Sequence, residues 1–152
     1  FFKRRSKKRR KVVYTAGVHL YIRSNIFSKL LTKCFKDMKA WAFEINLKRQ
    51  QWVIFCIYRP PKQSLIYFLD QLSKSVDYYT KSYQKNCILG DFNTIPSHDV
   101  MKSFMDEQAL VNIIKTPTYL RNINGSIIYL IINNNRNTFM PTKNFETGIS
   151  DY

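Results

Sequence analysis

Acidic residues are scarce in this chain: 10 Asp and Glu stand against 25 Lys and Arg over 152 residues, a formal net charge of +15. Cysteine is scarcer still. Cys34, Cys56 and Cys87 lie far apart with no metal-type spacing, which excludes a structural zinc site and a disulfide scaffold and reads as reduced thiols. Cys56 and Cys87 sit in apolar, strand-like runs, where packing is the expected role. No apolar run approaches the roughly 20 residues that span a bilayer, so no membrane association is expected. The first residues, Phe1-Phe2-Lys3-Arg4-Arg5, lack the order of a secretory signal, and the chain does not begin with Met, which reads as a fragment. No internal repeat is present.

What is there is a globular composition, 45% hydrophobic and 15% aromatic, long enough for one domain. The base is concentrated at the start. Lys3, Arg4, Arg5, Lys7, Lys8, Arg9, Arg10 and Lys11 form a run without an acid, read as a solvated or nucleic-acid-facing segment over residues 1–11. A surplus of this sign favours an anionic partner, nucleic acid first, because neutralised phosphates release counterions. A gene drifting toward A and T would also enrich Lys, Asn, Ile, Phe and Tyr, so charge alone does not select a partner.

Residues 12–22 alternate and read as one strand, with Gly17 a bulge or a point of close approach. Residues 40–47 alternate more cleanly, Trp41, Phe43, Ile45 and Leu47 opposing Glu44 and Asn46. After a polar connection at 48–51, residues 52–58 form a continuous apolar run, the mark of a strand covered on both faces. The two make a hairpin. Arg59-Pro60-Pro61 ends it, since proline donates nothing to a ladder. From Ser64 the period becomes helical, with Leu65, Phe68, Leu69, Leu72, Val76 and Tyr79 on one stripe and Asp70, Lys74 and Asp77 opposite. A short buried strand at 86–89 stops at Gly90, a short helix covers 98–108, another strand covers 126–132, and the tail from 133 is loop-like. Strands mixed with one long helix predict an α/β sandwich over residues 12–152.

Chemistry concentrates at Gly90-Asp91-Phe92-Asn93. Asp91 and Asn93 leave the strand on one side, where a carboxylate can accept a proton from a water that the amide orients beside a phosphate. Taken alone, Gly-Asp-x-Asn is also a common turn cap, held by local hydrogen bonds. Tyr58 alone is a strand-end aromatic with its hydroxyl in water. His19 reads as a surface residue, His98 as a solvated loop residue, and Glu44 as a solvated carboxylate on a polar strand face.

Ile88-Leu89-Gly90-Asp91-Phe92-Asn93 resembles the signature of the endonuclease/exonuclease/phosphatase superfamily, the deoxyribonuclease-I-like fold. Four further segments resemble endonucleases of non-LTR retrotransposons, in the family's order. Ala16-Gly17-Val18-His19-Leu20-Tyr21-Ile22 is similar to "GGVALYI", and Ile57-Tyr58-Arg59-Pro60-Pro61 to the "YRPP" strand and loop. Gly125-Ser126-Ile127-Ile128-Tyr129-Leu130-Ile131 is similar to "STIDLIF", and Gly148-Ile149-Ser150-Asp151-Tyr152 to the terminal "GISDH". The resemblance implies a two-sheet α/β sandwich lacking its N-terminal strands, and an ancestral Mg²⁺-dependent nicking of target DNA that primes reverse transcription, in a chain once fused to a reverse transcriptase. It implies catalytic roles for Tyr58 on the scissile phosphate, for Asp91 and Asn93 on the attacking water, and for Asp151 in organising the site, with a weak part in holding the metal. It adds Arg59 to the basic residues expected on nucleic acid.

The departures imply impairment. Tyr129 stands where the family has the Asp of "IDLI", and Tyr152 where it has the His of "SDH". The metal-binding Glu belongs to a strand that would precede Phe1. A lost His–carboxylate pair costs roughly 10²–10⁴ in rate, and Mg²⁺ binding becomes doubtful. The expected product is a DNA-associated remnant, nuclear or cytoplasmic, with no obligate protein partner evident; the alternatives are a non-catalytic nucleic-acid binder and a phosphomonoesterase of the same superfamily.

Overall fold

The computed structural model describes residues 10–15, 18–31, 38–47, 49–119 and 125–135. Two strands open the described chain, β1 (Arg10–Thr15) and β2 (Val18–Arg23), paired antiparallel. The single strand expected over residues 12–22 is therefore two. An alternating pattern passes through a two-residue connection without losing its period, which is why one strand and a tight hairpin read alike. Arg10 and Lys11 belong to β1.

The main sheet has six strands in the order β3-β4-β5-β6-β8-β7. β3 (Ser28–Leu31), too short to show a period, was not foreseen and forms one edge. β4 (Lys39–Leu47) and β5 (Gln50–Tyr58) are the expected hairpin. β5 starts at Gln50, so the polar connection is only Lys48-Arg49, with Arg49 at φ 63° in the left-handed region that tight connections use. Every residue from Trp52 to Ile57 is buried, as the unbroken apolar run predicted. Helix α1 (Leu65–Thr80) begins at Ser64, whose hydroxyl accepts from the Tyr67 N–H at 3.4 Å, and it buries Phe68, Leu69, Leu72, Val76 and Tyr79.

β6 (Lys85–Asp91) returns parallel to β5. It does not stop at Gly90. Gly90, at φ +146°, stays in the ladder where a Cβ would lie 1.9 Å from the Ile57 carbonyl oxygen, so only glycine allows the two strands to approach. Helix α2 (Asp99–Glu107) follows, then the two-residue β7 (Val111–Asn112), which no period reveals. β8 (Tyr129–Asn133) is shorter than the strand expected over 126–132; its leading residues hold a single bridge, Tyr119 to Ser126.

The helices cover one face. Ala40, Ala42, Val53, Phe55, Ile57, Ile88, Leu130 and Ile132 pack there with α1, α2 and Phe92. The opposite face gathers Phe43, Ile45, Trp52, Ile54, Cys56 and Cys87 with Ile22 of β2, so the two-stranded sheet lies on that side. This is the mixed α/β sandwich anticipated. No helix among the described residues is long and apolar enough to cross a membrane.

Candidate active site

Strand register builds the site. Asp91 at the end of β6 is the partner of Tyr58 at the end of β5, and its partner on the other side is Tyr129 at the start of β8. Tyr58 in turn pairs with Lys39 at the start of β4. Register partners project on the same side of a sheet, so Lys39, Tyr58, Asp91 and Tyr129 form one row across four strands. Alternation places that row on the face of Trp52, Ile54, Cys56 and Cys87, away from the helices. The Lys39 ammonium lies 5.4 Å from the Tyr58 ring centroid, cation–π distance. Sequence reasoning missed Lys39: nothing local marks a lone lysine at a strand start, and only the sheet order sets it beside Tyr58.

Beyond Asp91 the chain turns sharply. The Asn93 N–H donates to Asp91 Oδ1 at 2.9 Å, and Asn93 takes φ 47°, so the turn-cap reading of Gly-Asp-x-Asn is realised as geometry. Because of that turn, Asn93 does not simply continue the strand alternation expected of it. Its side-chain Nδ2 donates to the Arg59 carbonyl at 2.8 Å, and the Phe92 N–H donates to the Ile128 carbonyl at 3.0 Å. Burial pushes the Asp91 carboxyl above the ordinary carboxylate range. The Asn93 N–H, the Arg59 guanidinium and the Asn93 side chain oppose the shift and hold the ionised form. A half-buried carboxylate with an elevated pKa beside a fixed amide suits proton acceptance from water.

Arg59 is buried rather than presented to solvent. Its Nε donates to the Phe92 carbonyl at 2.6 Å, Nη2 to the Asn93 carbonyl at 2.6 Å, and Nη1 to the carbonyls of Gln63 and Pro60. These bonds give it a structural task whatever it does toward a phosphate. Its proton affinity is lowered by the same burial. Thr118 is a second residue that the sequence did not flag. Its hydroxyl accepts the N–H groups of Ile128 and Tyr129 at 3.0 Å each and so fixes the start of β8 next to Asp91. A threonine in a loop carries no local mark of such a contact.

The remaining candidates lie elsewhere. Glu44 is not free in solvent: it is half-buried and accepts the Tyr83 hydroxyl at 2.9 Å; burial first, and then that bond, push the phenol up to about 12. It pairs with Val53, five residues before Tyr58, roughly 17 Å along the sheet. His98 is exposed at the cap position before α2. A polar groove of about 800 Å³ lined by Asn46, Arg49, Gln50, Tyr83 and Lys85 also lies at that far end of the sheet. Asp151 and Tyr152, Gly17, residues 3–9 and Cys34 lie outside the described residues, as do the side chains of Arg10, Lys11 and His19. Among the described residues no three His, Cys, Asp or Glu side chains converge. That donor set does not by itself fit Mg²⁺, which asks for carboxylates around an octahedral ion.

No protein-family model and no curated protein sequence matches the chain. Solved structures do. The endonuclease domain of TRAS1, a telomere-specific non-LTR retrotransposon, is similar with a TM-score of 0.64 at 14% identity, over 82% of this chain and 64% of that one. The human Nocturnin catalytic domain, with bound sulfate, is similar with a TM-score of 0.52 at 17% identity, over 76% and 51%. A mannosyl-6-phosphatase of Bacteroides thetaiotaomicron is similar with a TM-score of 0.53 at 10% identity, over 76% and 55%. The chain thus spans between half and two thirds of the length of these proteins. It shares the fold of these proteins, a retrotransposon endonuclease domain among them.

Proposed function

We propose that the chain is a catalytically impaired remnant of a Mg²⁺-dependent DNA endonuclease, of the kind that nicks target DNA for retrotransposition. The observation that carries this reading is the row Tyr58–Asp91–Tyr129. Three strand positions that resemble the family's phosphate contact, water-activating Asp and His-orienting Asp are sheet neighbours, and the third is a phenol. Asp91 takes the proton of an attacking water and Asn93 orients it. The Tyr58 hydroxyl donates to a phosphate oxygen, and the Lys39 ammonium adds positive charge beside it. Tyr129 cannot hold an imidazolium in place as a carboxylate does, and Tyr152 cannot supply one. The described residues do not assemble a Mg²⁺ site.

DNA is the proposed partner, with the protein in nucleus or cytoplasm. The net charge of +15 favours a polyanion over a sugar phosphate, and the fold similarity to the retrotransposon endonuclease is the greater of the two. Incubating the protein and Mg²⁺ with supercoiled plasmid and, separately, with a phosphomonoester tests the choice. Phosphomonoester turnover exceeding plasmid nicking overturns it.

The same charge favours a second reading, a non-catalytic nucleic-acid binder that uses Lys3, Arg4, Arg5, Lys7, Lys8, Arg9, Arg10, Lys11 and the groove. Affinity would then fall steeply with salt and be largely lost on deleting residues 3–11. Salt-insensitive binding disposes of it.

A further inference from the structure

Among the described residues, the charged side chain that the fold buries is Arg59, 5% exposed, and its contacts are directed at the corner rather than at the core. Two of its donors end on the carbonyls of Phe92 and Asn93, the two residues after Asp91, 33 and 34 positions away. Asn93 answers with its side chain, Nδ2 to the Arg59 carbonyl, and the Arg59 N–H completes the ring on the Asp91 carbonyl at 2.9 Å. The other two contacts, to Gln63 and Pro60, tie the guanidinium to its own loop. Pro60 and Pro61 have no N–H with which to anchor that loop to the ladder, so the side chain supplies the anchor.

We infer that Arg59 is the positioning residue of the site: its guanidinium holds the main chain of Phe92 and Asn93 so that the Asn93 amide stays fixed beside the Asp91 carboxylate. This rests on the corner being the reacting site, as proposed above. Asn93 needs holding. Its φ of 47° is a conformation that an L-residue other than glycine adopts at a cost, and the turn has left the ladder that would otherwise fix it. A planar fork with five donors reaches several carbonyls at once; an ammonium offers three donors at a single point and cannot. Lysine therefore preserves charge and length here but not the lock.

The test uses the full chain and NMR of the Asn93 side-chain amide and the Asp91 carboxyl carbon. Arg59→Lys is expected to melt cooperatively yet to lose protection of the Asn93 amide protons by roughly tenfold, the scale of one lost hydrogen bond. In Arg59→Gln, the Asp91 carboxyl is expected to titrate at higher pH than in the wild type, which a purely packing role would not produce. Unchanged Asn93 protection in a folded Arg59→Lys overturns the inference. Where both variants fail to fold, exchange of the Arg59 Nε–H is compared between wild type and Asn93→Ala. Faster exchange in Asn93→Ala supports the reciprocal lock, and identical exchange contradicts it. Neither readout involves cleavage, so a failure of the nuclease reading, seen in the plasmid assay, leaves the lock to be judged on these resonances.

Discussion

Asp91 and Tyr129 are register partners on β6 and β8, so the phenol of Tyr129 stands directly beside the Asp91 carboxyl. An aspartate in place of Tyr129 would bring two carboxyl groups together.

Tyr129→Asp is accordingly expected to destabilise the protein, by about 1–2 kcal/mol at neutral pH, through loss of a half-buried ring and like charges on paired positions. Ionised partners repel and protonated ones do not, so the loss should shrink as pH falls into the carboxylate range. Urea midpoints at pH 4 and pH 7 measure both. An equal loss at the two pH values would remove the electrostatic part of the explanation.

The elevated pKa of Asp91 fixes the sign of a second prediction. A carboxyl that holds its proton more tightly in the folded than in the unfolded chain stabilises the fold at low pH. That stability is lost as pH rises through the folded pKa. Asp91→Asn keeps the Oδ1 acceptor for the Asn93 N–H and abolishes the ionisation. It should therefore be as stable as the wild type or more so at pH 7, with its advantage vanishing toward acid pH, while any nicking is lost. Thermal melts across that range decide; a variant less stable at pH 7 than at pH 4, relative to wild type, shows the opposite sign.

Gly90→Ala should be costly at a position that looks innocuous in sequence. The new Cβ meets the Ile57 carbonyl oxygen at 1.9 Å with φ at +146°, so β5 and β6 must separate where they set Tyr58 beside Asp91. A loss of about 3 kcal/mol or more is expected in chemical denaturation, and one below about 1 kcal/mol would contradict the close approach.

Cys56 and Cys87 are buried, and burial pushes both thiols up to about 12, so neither is a nucleophile in the folded protein. Alkylation with peptide mapping at pH 8 should label them only after unfolding. Rapid native labelling of either would show that the face beneath β2 is open.

Legibility in the sequence followed periodicity. The β4–β5 hairpin and α1 were readable from alternation in β4, an unbroken apolar run in β5 and a helical stripe in α1. β3 and β7 were not, being four and two residues long, stabilised by neighbours rather than by a pattern of their own. Tyr58, Asp91 and Asn93 were legible as candidates from motif wording. The placement of Tyr58 and Asp91 beside Lys39 comes from register, that of Asn93 from the turn, and that of Thr118 from its bonds to Ile128 and Tyr129. Arg59 was the most misleading: it was expected among the basic residues on nucleic acid, and nothing local reveals the distant carbonyls that bury it.

The central claim is that a recognisable phosphodiesterase corner persists without its working partners. Relaxation of supercoiled plasmid in Mg²⁺, measured for the wild type against Asp91→Ala at equal concentration, tests it most directly. The account predicts wild-type nicking at or close to the Asp91→Ala level, whereas Asp91-dependent nicking at ordinary enzyme rates, about 1 s⁻¹ or faster, would contradict it.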